Sequence, residues 1–341
     1  MHEWGEGMRK KVFILGFGRS GTTWIADIVS KASGTLVLFE PFHPSVTEAS
    51  REVSYAPVGK NGNSLKEYLN RVMGKRHRKM WLMRNHVPVR LEEISPNFLE
   101  LIWENCGILG FKEIRANFML SWLHDNFDAK IVYIIRHPCA VVSSILKRQN
   151  FWEFGWPGTY ELFLAKTVYH DHYKSHRIAR CLPVVEQAKT DLERIAVMWA
   201  ITHAVTLPEL KDLNLPLFYY EDFYARPFPA VKELMAYLEM PEIDLHPAHI
   251  FTPSMTTLKT LHGLYGMDKS VSREGASLFW KGVLDERKVG TVLEIVRYFG
   301  IELYNETGFP LKEGFTGGDG RDMVPLSDQF PGPSGHEIFR F

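Results

Sequence analysis

The residues best suited to chemistry come early. In "VFILGFGRSGTTW", Val12 to Trp24, an apolar run breaks into a glycine turn that carries Arg19 and Ser20 and ends on Thr22 and Thr23. A strand, a tight glycine turn and a helix N-terminus together present unbonded amides and the positive end of a helix dipole to an anion. The stretch is therefore expected to bind a phosphate-like group. Three patterns overlay it. Gly16-x-Gly18-x-x-Gly21 has the spacing of a dinucleotide fingerprint, and Glu40 stands at the end of the next apolar run, where an acid would hold a ribose. Gly16 and Gly21 with Thr22 and Thr23 trace a Walker A loop in which Thr22 replaces the lysine, so a nucleoside triphosphate would lose its bridging cation. Arg-Ser-Gly-Thr-Thr-Trp is a third pattern, with the cation moved onto the turn at Arg19.

A second anion motif separates these readings. "YIIRHPCAVVSSI" places Arg136 at the end of an apolar strand and Ser144 in the helix that begins after Pro138. An arginine fork with a hydroxyl facing the same pocket suits a phosphate dianion. Two phosphate motifs on separate strands are far more specific than either one.

"RSGTTW" with the Arg136 and Ser144 pair resembles the 5′-phosphosulfate loop and 3′-phosphate motif of sulfotransferases, which use 3′-phosphoadenosine 5′-phosphosulfate (PAPS). The resemblance spans roughly residues 10–300 and implies a P-loop-like fold. It also implies roles. Arg19 would face the leaving phosphate. Ser20, the amides of Gly21 to Thr23 and the hydroxyls of Thr22 and Thr23 would hold the 5′-phosphate. Trp24 would pack on the adenine, and Tyr220 in "YYEDF" would approach it. Lys281 in "LFWKGVLDERKV" matches the C-terminal Trp-Lys segment that leads into the last helix. "LFEPFH" and "RHPCAVVSS" look most like carbohydrate sulfotransferases of the Golgi 6-O type and their bacterial relatives. The cytosolic phenol and steroid enzymes are less similar, because they carry Lys in the first loop and a Lys-Thr-His segment where this chain has "FKEIR".

Sulfuryl transfer needs a base for the acceptor and positive charge on the departing phosphate. By resemblance, Glu40 is the expected base, with Glu113 at the end of "ILGFK" the second candidate. A strand-end acid can equally be an ion-pair partner, for Glu113 with Arg115 or Lys112. His43 and His86 are possible helpers. The histidines and acids show no ligand spacing, so no metal is expected. The acceptor is expected to be a hydroxyl of a carbohydrate or glycoconjugate, with a tyrosine, a lipid or a small alcohol as the alternative. From other classes, a P-loop kinase or an NAD-dependent dehydrogenase would need ATP with magnesium, or nicotinamide.

Composition bounds these readings. The chain has 341 residues, 45% apolar and 13% aromatic, enough for a large core. Its formal net charge is zero, so no general field draws it to nucleic acid, and anions must be met by local clusters. Cys106, Cys139 and Cys181 lack metal-ligand spacing and read as thiols of a reducing compartment. The start "MHEWGEGMRKK" reads as neither signal peptide nor anchor, and no apolar run approaches the roughly 18 residues of a membrane span. A soluble, cytoplasmic protein is the expectation.

The elements that must hold these residues alternate between apolar runs and amphipathic stretches, which predicts a three-layer α/β/α fold with a mostly parallel sheet. "KVFILGF", "TLVLFEP", "ILGFK", "AKIVYIIR" and "LPLFYY" read as strands. "TTWIADIVSKAS", "SLKEYLNRVM", "ANFMLSWLHDNF", "CAVVSSILKRQ", "DLERIAVMWAITHAV", "PAVKELMAYLE" and "ERKVGTVLEIVRYFG" read as helices. One domain over 1–310 is expected, with acceptor-side insertions near 44–95 and 151–185 and a Gly/Pro-rich tail over 311–341. The basic run at 75–79 reads as a solvated face or a glycan contact, and the aromatics of 151–160 as a lid or a sugar-stacking surface.

Overall fold

The structure is a computed structural model that describes residues 9–43, 45–46, 62–74, 79–84, 87–147, 158–170, 178, 181–240 and 278–311. Its centre is a seven-stranded sheet in the order β4-β3-β2-β5-β1-β6-β7. The strands are β1 (Lys10–Gly16), β2 (Thr35–Phe39), β3 (Trp81–Arg84), β4 (Val87–Arg90), β5 (Ile108–Glu113), β6 (Ala129–Ile135) and β7 (Leu217–Tyr219). Strands β2, β5, β1, β6 and β7 run parallel, while β3 and β4 continue the sheet as an antiparallel hairpin.

Helices cover both faces. In chain order they are α1 (Thr22–Ser30), α2 (Gly62–Met73), α3 (Pro96–Glu104), α4 (Leu120–Phe127), α5 (Pro138–Leu146) and α6 (Thr159–Lys166). They continue as α7 (Leu182–Gln187), α8 (Asp191–Asp212), α9 (Tyr220–Ala225), α10 (Pro227–Tyr237) and α11 (Glu286–Tyr298). Central strands covered on both faces must be apolar on both, and β1 is. Phe13 and Leu15 pack into one cluster with Phe111, Tyr133 and the α2–α4 side. Val12 and Ile14 point the other way, into a cluster with α1 and α10. A third cluster joins α5, α8 and α11 beside the sheet. Local signals set the ends: a Thr190–Glu193 capping box starts α8, Asp285 caps α11, and Pro138 opens α5.

All five parallel strands expected from the sequence are present. Three features differ from expectation. The 44–95 region, read as an insertion with a loop, a helix and a basic segment, also contributes β3 and β4 to the sheet. Within the irregular 151–182 stretch, Thr159–Lys166 is helical. Helices α3, α7 and α9 have no counterpart among the expected elements. His86, basic residues 75–78, aromatics 151–157, residues 241–277 and those from 312 lie outside the described residues. No helix among the described residues is long and apolar enough to cross a membrane.

This topology positions the site. Parallel strands end on one edge, and the order places β1 between β5 and β6, with the chain leaving β1 toward one side and β6 continuing toward the other. Ligands of open α/β sheets bind at the carboxyl ends of strands beside such a switch. Gly16, Glu40, Glu113, Arg136 and Tyr220 end or directly follow β1, β2, β5, β6 and β7.

Candidate active site

The loop between β1 and α1 is built for close approach. A Cβ at Gly16 would lie 2.4 Å from the Ile134 carbonyl oxygen, so only glycine lets β1 turn against β6. Gly21, at φ +93°, is the N-cap of α1, and a Cβ there would lie 2.2 Å from the Tyr220 ring. Arg19, between them, holds a left-handed φ of +70°. Among the described residues no side chain caps α1, and its first intrahelical bonds come from the Trp24 and Ile25 amides to Gly21. The amides of Gly21, Thr22 and Thr23 precede those bonds, as an anion-binding helix start requires. Ser20 is fully buried, and its hydroxyl has no hydrogen-bond partner among the described residues. A buried polar group without a partner costs about 1–3 kcal/mol, a cost that a ligand oxygen in this loop would remove.

The second anion motif reaches this loop directly. Arg19 Nε donates to Ser144 Oγ at 3.0 Å, and Arg136 Nη1 donates to the Arg19 carbonyl at 3.1 Å. Arg136 is buried, its guanidinium stacks 4.1 Å from the centre of the Tyr220 ring, and its Nε has no partner among the described residues. Tyr220 is thus wedged between the Gly21 backbone and Arg136. Trp24 is buried edge-on to Tyr220 and close to Tyr224, ring centroids 5.7 and 5.2 Å away. Phe279 lies 5.9 Å from Arg136 and beneath the Lys147 ammonium at 5.2 Å. Lys281, exposed, follows two residues on. The structure therefore brings together Arg19, Ser20, Gly21, Thr22, Thr23, Trp24, Arg136, Ser144 and Tyr220, with Lys281 near the rim.

The carboxylates form a separate cluster at the ends of β2 and β5. Glu40 follows β2 at a left-handed φ of +49°, and its amide donates to the Lys112 carbonyl at 2.7 Å. A non-glycine residue there stores about 1–3 kcal/mol of strain, a feature concentrated at functional sites. Its Oε1 takes a short hydrogen bond from Lys112 Nζ, and its Oε2 accepts from Arg115 Nη1 at 2.8 Å. Burial pushes the Glu40 carboxyl up, but Lys112 and then Arg115 outweigh it and hold the group down at about 2. Glu113 is fully buried. It accepts from the Phe42 amide at 2.7 Å, the Ile114 amide at 2.8 Å and the Arg115 amide at 3.0 Å. Burial pushes its carboxyl up. His43 is partly exposed; its ring bonds Ser45 at 2.7 Å and its amide donates to the Glu40 carbonyl at 2.9 Å.

Lys112 and Arg115 were not among the candidates read from the sequence except as partners of Glu113. The structure pairs both with Glu40, and Arg115 Nη1 also lies 3.6 Å from Glu113 Oε1, the ion pair expected of that acid. A signal for Lys112 is present in the β2–β5 register, where it stands opposite Phe39, the residue before Glu40, whereas Arg115 lies beyond the end of β5 and no alternation places it. His137, Glu221 and Phe279 adjoin Arg136 and Tyr220, and none of the three is a candidate from the sequence. Cys106, Cys139 and Cys181 are all buried thiols. No group of acids, histidines and cysteines that could hold a metal occurs among the described residues.

A doubly covered parallel sheet with a glycine loop, an anion-binding helix start and a second arginine site defines a phosphate-loop α/β protein. Residues 11–244 match the sulfotransferase family, and the chain belongs to that family. No curated protein sequence matches the chain. Among solved structures it is similar to the sulfotransferase domain of the curacin biosynthetic pathway, at 14% identity and TM-score 0.43, covering 87% of this chain and 99% of that one. The sulfotransferase domain of the Synechococcus PCC 7002 olefin synthase gives 15% and 0.43, covering 89% and 100%. A mouse sulfotransferase complexed with PAP gives 13% and 0.41, covering 90% and 88%. None of these values is high enough to carry a substrate across.

Proposed function

We propose that this protein transfers the sulfuryl group of PAPS to a hydroxyl of a carbohydrate or glycoconjugate. The observation that carries the donor reading is the union of two anion sites in one crevice, with Ser20 Oγ and Arg136 Nε buried there without partners among the described residues. A donor with phosphates on both its 5′ and 3′ oxygens supplies acceptors for both. A nucleoside triphosphate would need the loop cation in the Walker position, which Thr22 occupies.

In this reading the α1 amides with Ser20, Thr22 and Thr23 bind the 5′-phosphate. Arg136 and Ser144 bind the 3′-phosphate, and Trp24 and Tyr220 flank the adenine. Arg19, held by Ser144, places its charge where the leaving phosphate develops negative charge. Glu40 accepts the proton of the attacking hydroxyl. Lys112 and Arg115 keep it ionised at neutral pH and fix its orientation, at the expense of intrinsic basicity. Its proton transfer therefore follows bond formation to sulfur, when the acceptor oxygen has become acidic. Glu113, whose oxygens are taken by three amides, organises the β5 end. The protein is read as acting in the cytoplasm. The carbohydrate class rests on the "LFEPFH" and "RHPCAVVSS" motifs.

Incubation with sulfur-labelled PAPS and a panel of oligosaccharides, tyrosine peptides, lipids and simple alcohols tests both parts. Label on a sugar hydroxyl is expected. Label on another acceptor overturns the carbohydrate class, and no transfer to any acceptor overturns the catalytic reading.

A further inference from the structure

Beside the donor arginine lies a buried acid that the chemistry above does not use. Glu221 follows Tyr220 and is 1% exposed, yet both its oxygens are engaged across the chain. Its Oε1 accepts the His137 amide at 2.9 Å, and its Oε2 accepts the Tyr304 hydroxyl at 3.0 Å. His137, next to Arg136, is fully buried and caps α5, its Nδ1 accepting from the Cys139 amide at 3.2 Å. That bond leaves the ring proton on Nε2, which donates to the Asn305 carbonyl at 2.8 Å. The His137 ring lies flat on Trp280, centroids 4.7 Å apart and planes 16° apart, and meets Tyr304 edge-on at 4.9 Å.

Two pieces of the C-terminal segment, Trp280 and Tyr304–Asn305, are therefore gripped by the residues flanking Arg136 and Tyr220. The residue before Trp280 is Phe279, which faces Arg136 and Lys147, and the residue after it is Lys281. Apolar packing would hold the segment without a buried carboxyl. An acid placed there is costly unless each oxygen has a partner, and its two partners are the amide beside Arg136 and the hydroxyl of the returning chain.

We propose that Glu221 is a positioning residue for donor binding. By joining the His137 amide to the Tyr304 hydroxyl, it latches the 279–281 segment beside Arg136 and completes the 3′-phosphate end of the site. The proposal rests on the two-phosphate donor reading. Glutamine can keep both bonds, its oxygen accepting from the His137 amide and its NH₂ donating to the Tyr304 oxygen. Alanine can keep neither.

The test is calorimetric titration of adenosine 3′,5′-bisphosphate and of adenosine 5′-monophosphate into the full chain and into Glu221→Gln, Glu221→Ala, Tyr304→Phe and Arg136→Ala. Glu221→Ala is expected to weaken the bisphosphate about tenfold and Tyr304→Phe about threefold, in line with lost buried hydrogen bonds. The monophosphate should change less than about twofold, since it lacks the phosphate that the latch serves. Glu221→Gln should restore bisphosphate affinity, and in turnover the alanine variant should raise the donor KM with little change in kcat. The latch is overturned if Glu221→Ala keeps the wild-type bisphosphate-to-monophosphate ratio while Arg136→Ala loses it, or if the glutamine variant falls as far as alanine. Should Glu221→Ala fail to fold, Tyr304→Phe carries the same comparison. Failure of the unsubstituted protein to bind the bisphosphate overturns the donor reading itself, and the latch with it.

Discussion

The two ends of the sheet's carboxyl edge solve opposite electrostatic problems. At the β2 and β5 ends, both oxygens of Glu40 are bonded by protein cations, and Glu113 is bonded by three amides. At the β1, β6 and β7 ends, cations dominate, and Ser20 Oγ, Trp24 Nε1, Arg136 Nε and Tyr219 Oη are buried with no partner among the described residues. The contrast supports the proposed division into a binding end and a reacting end: an incomplete cationic pocket gains affinity from an anion, whereas a fully paired carboxylate is fixed in place and in charge.

The sharpest break in that contrast is Glu40→Gln. Loss of the base should lower kcat by about 10²–10⁴-fold, while affinity for adenosine 3′,5′-bisphosphate, bound at the other end, changes little. Single-turnover kinetics beside calorimetry separates the two. Next in size is Arg136→Ala, which should weaken the bisphosphate about a hundredfold, as removal of a buried charge partner does, and leave the Glu40 end intact. Retained affinity would show that the phosphate lies elsewhere.

A smaller effect follows from Arg115→Met. With one cation gone, burial drives the Glu40 carboxyl upward, so the acid limb of the kcat–pH profile should move up from below the assay range. The unsubstituted protein, with Glu40 at about 2, should show no such limb from this group at neutral pH. The smallest effect compares the two buried acids in thermal melts across pH. Glu40 lies below its ordinary 4.5, so its stability contribution is present above that value and fades as pH falls toward 2. Glu221 is pushed by burial from 4.5 to about 7, so the folded protein holds that proton more tightly, and stability falls as pH rises from 4.5 through 7. Glu221→Gln should flatten the second slope and spare the first.

Much of this arrangement was legible in the chain. The two-faced apolar strands announced a doubly covered sheet, and the structure brings the RSGTTW and RHP segments side by side, as two anion sites for one ligand would need. The direct bond between Arg19 and Ser144 was not legible, because 125 positions separate them and only the β1–β6 pairing brings their loops together. The same holds for Glu40 with Lys112 and Arg115, at separations of 72 and 75, which converge through the β2–β5 register. Strands β3 and β4 escaped notice for a local reason. Each has only four residues, β4 contains Pro88, and charged Arg84 and Arg90 sit at their ends, so no alternation stands out. Glu221 lay in plain view inside "YYEDF", but its partners Tyr304 and His137 are 83 and 84 positions away.

The central claim is that one crevice binds two phosphates of one nucleotide. Calorimetry of the unsubstituted protein with adenosine 3′,5′-bisphosphate, adenosine 5′-monophosphate, ATP and NAD tests it most directly. The account predicts that the bisphosphate binds at least about tenfold more tightly than the monophosphate, as one added charge-assisted phosphate site provides, and more tightly than ATP or NAD. Equal affinity for bisphosphate and monophosphate, or binding of NAD without the bisphosphate, would contradict it.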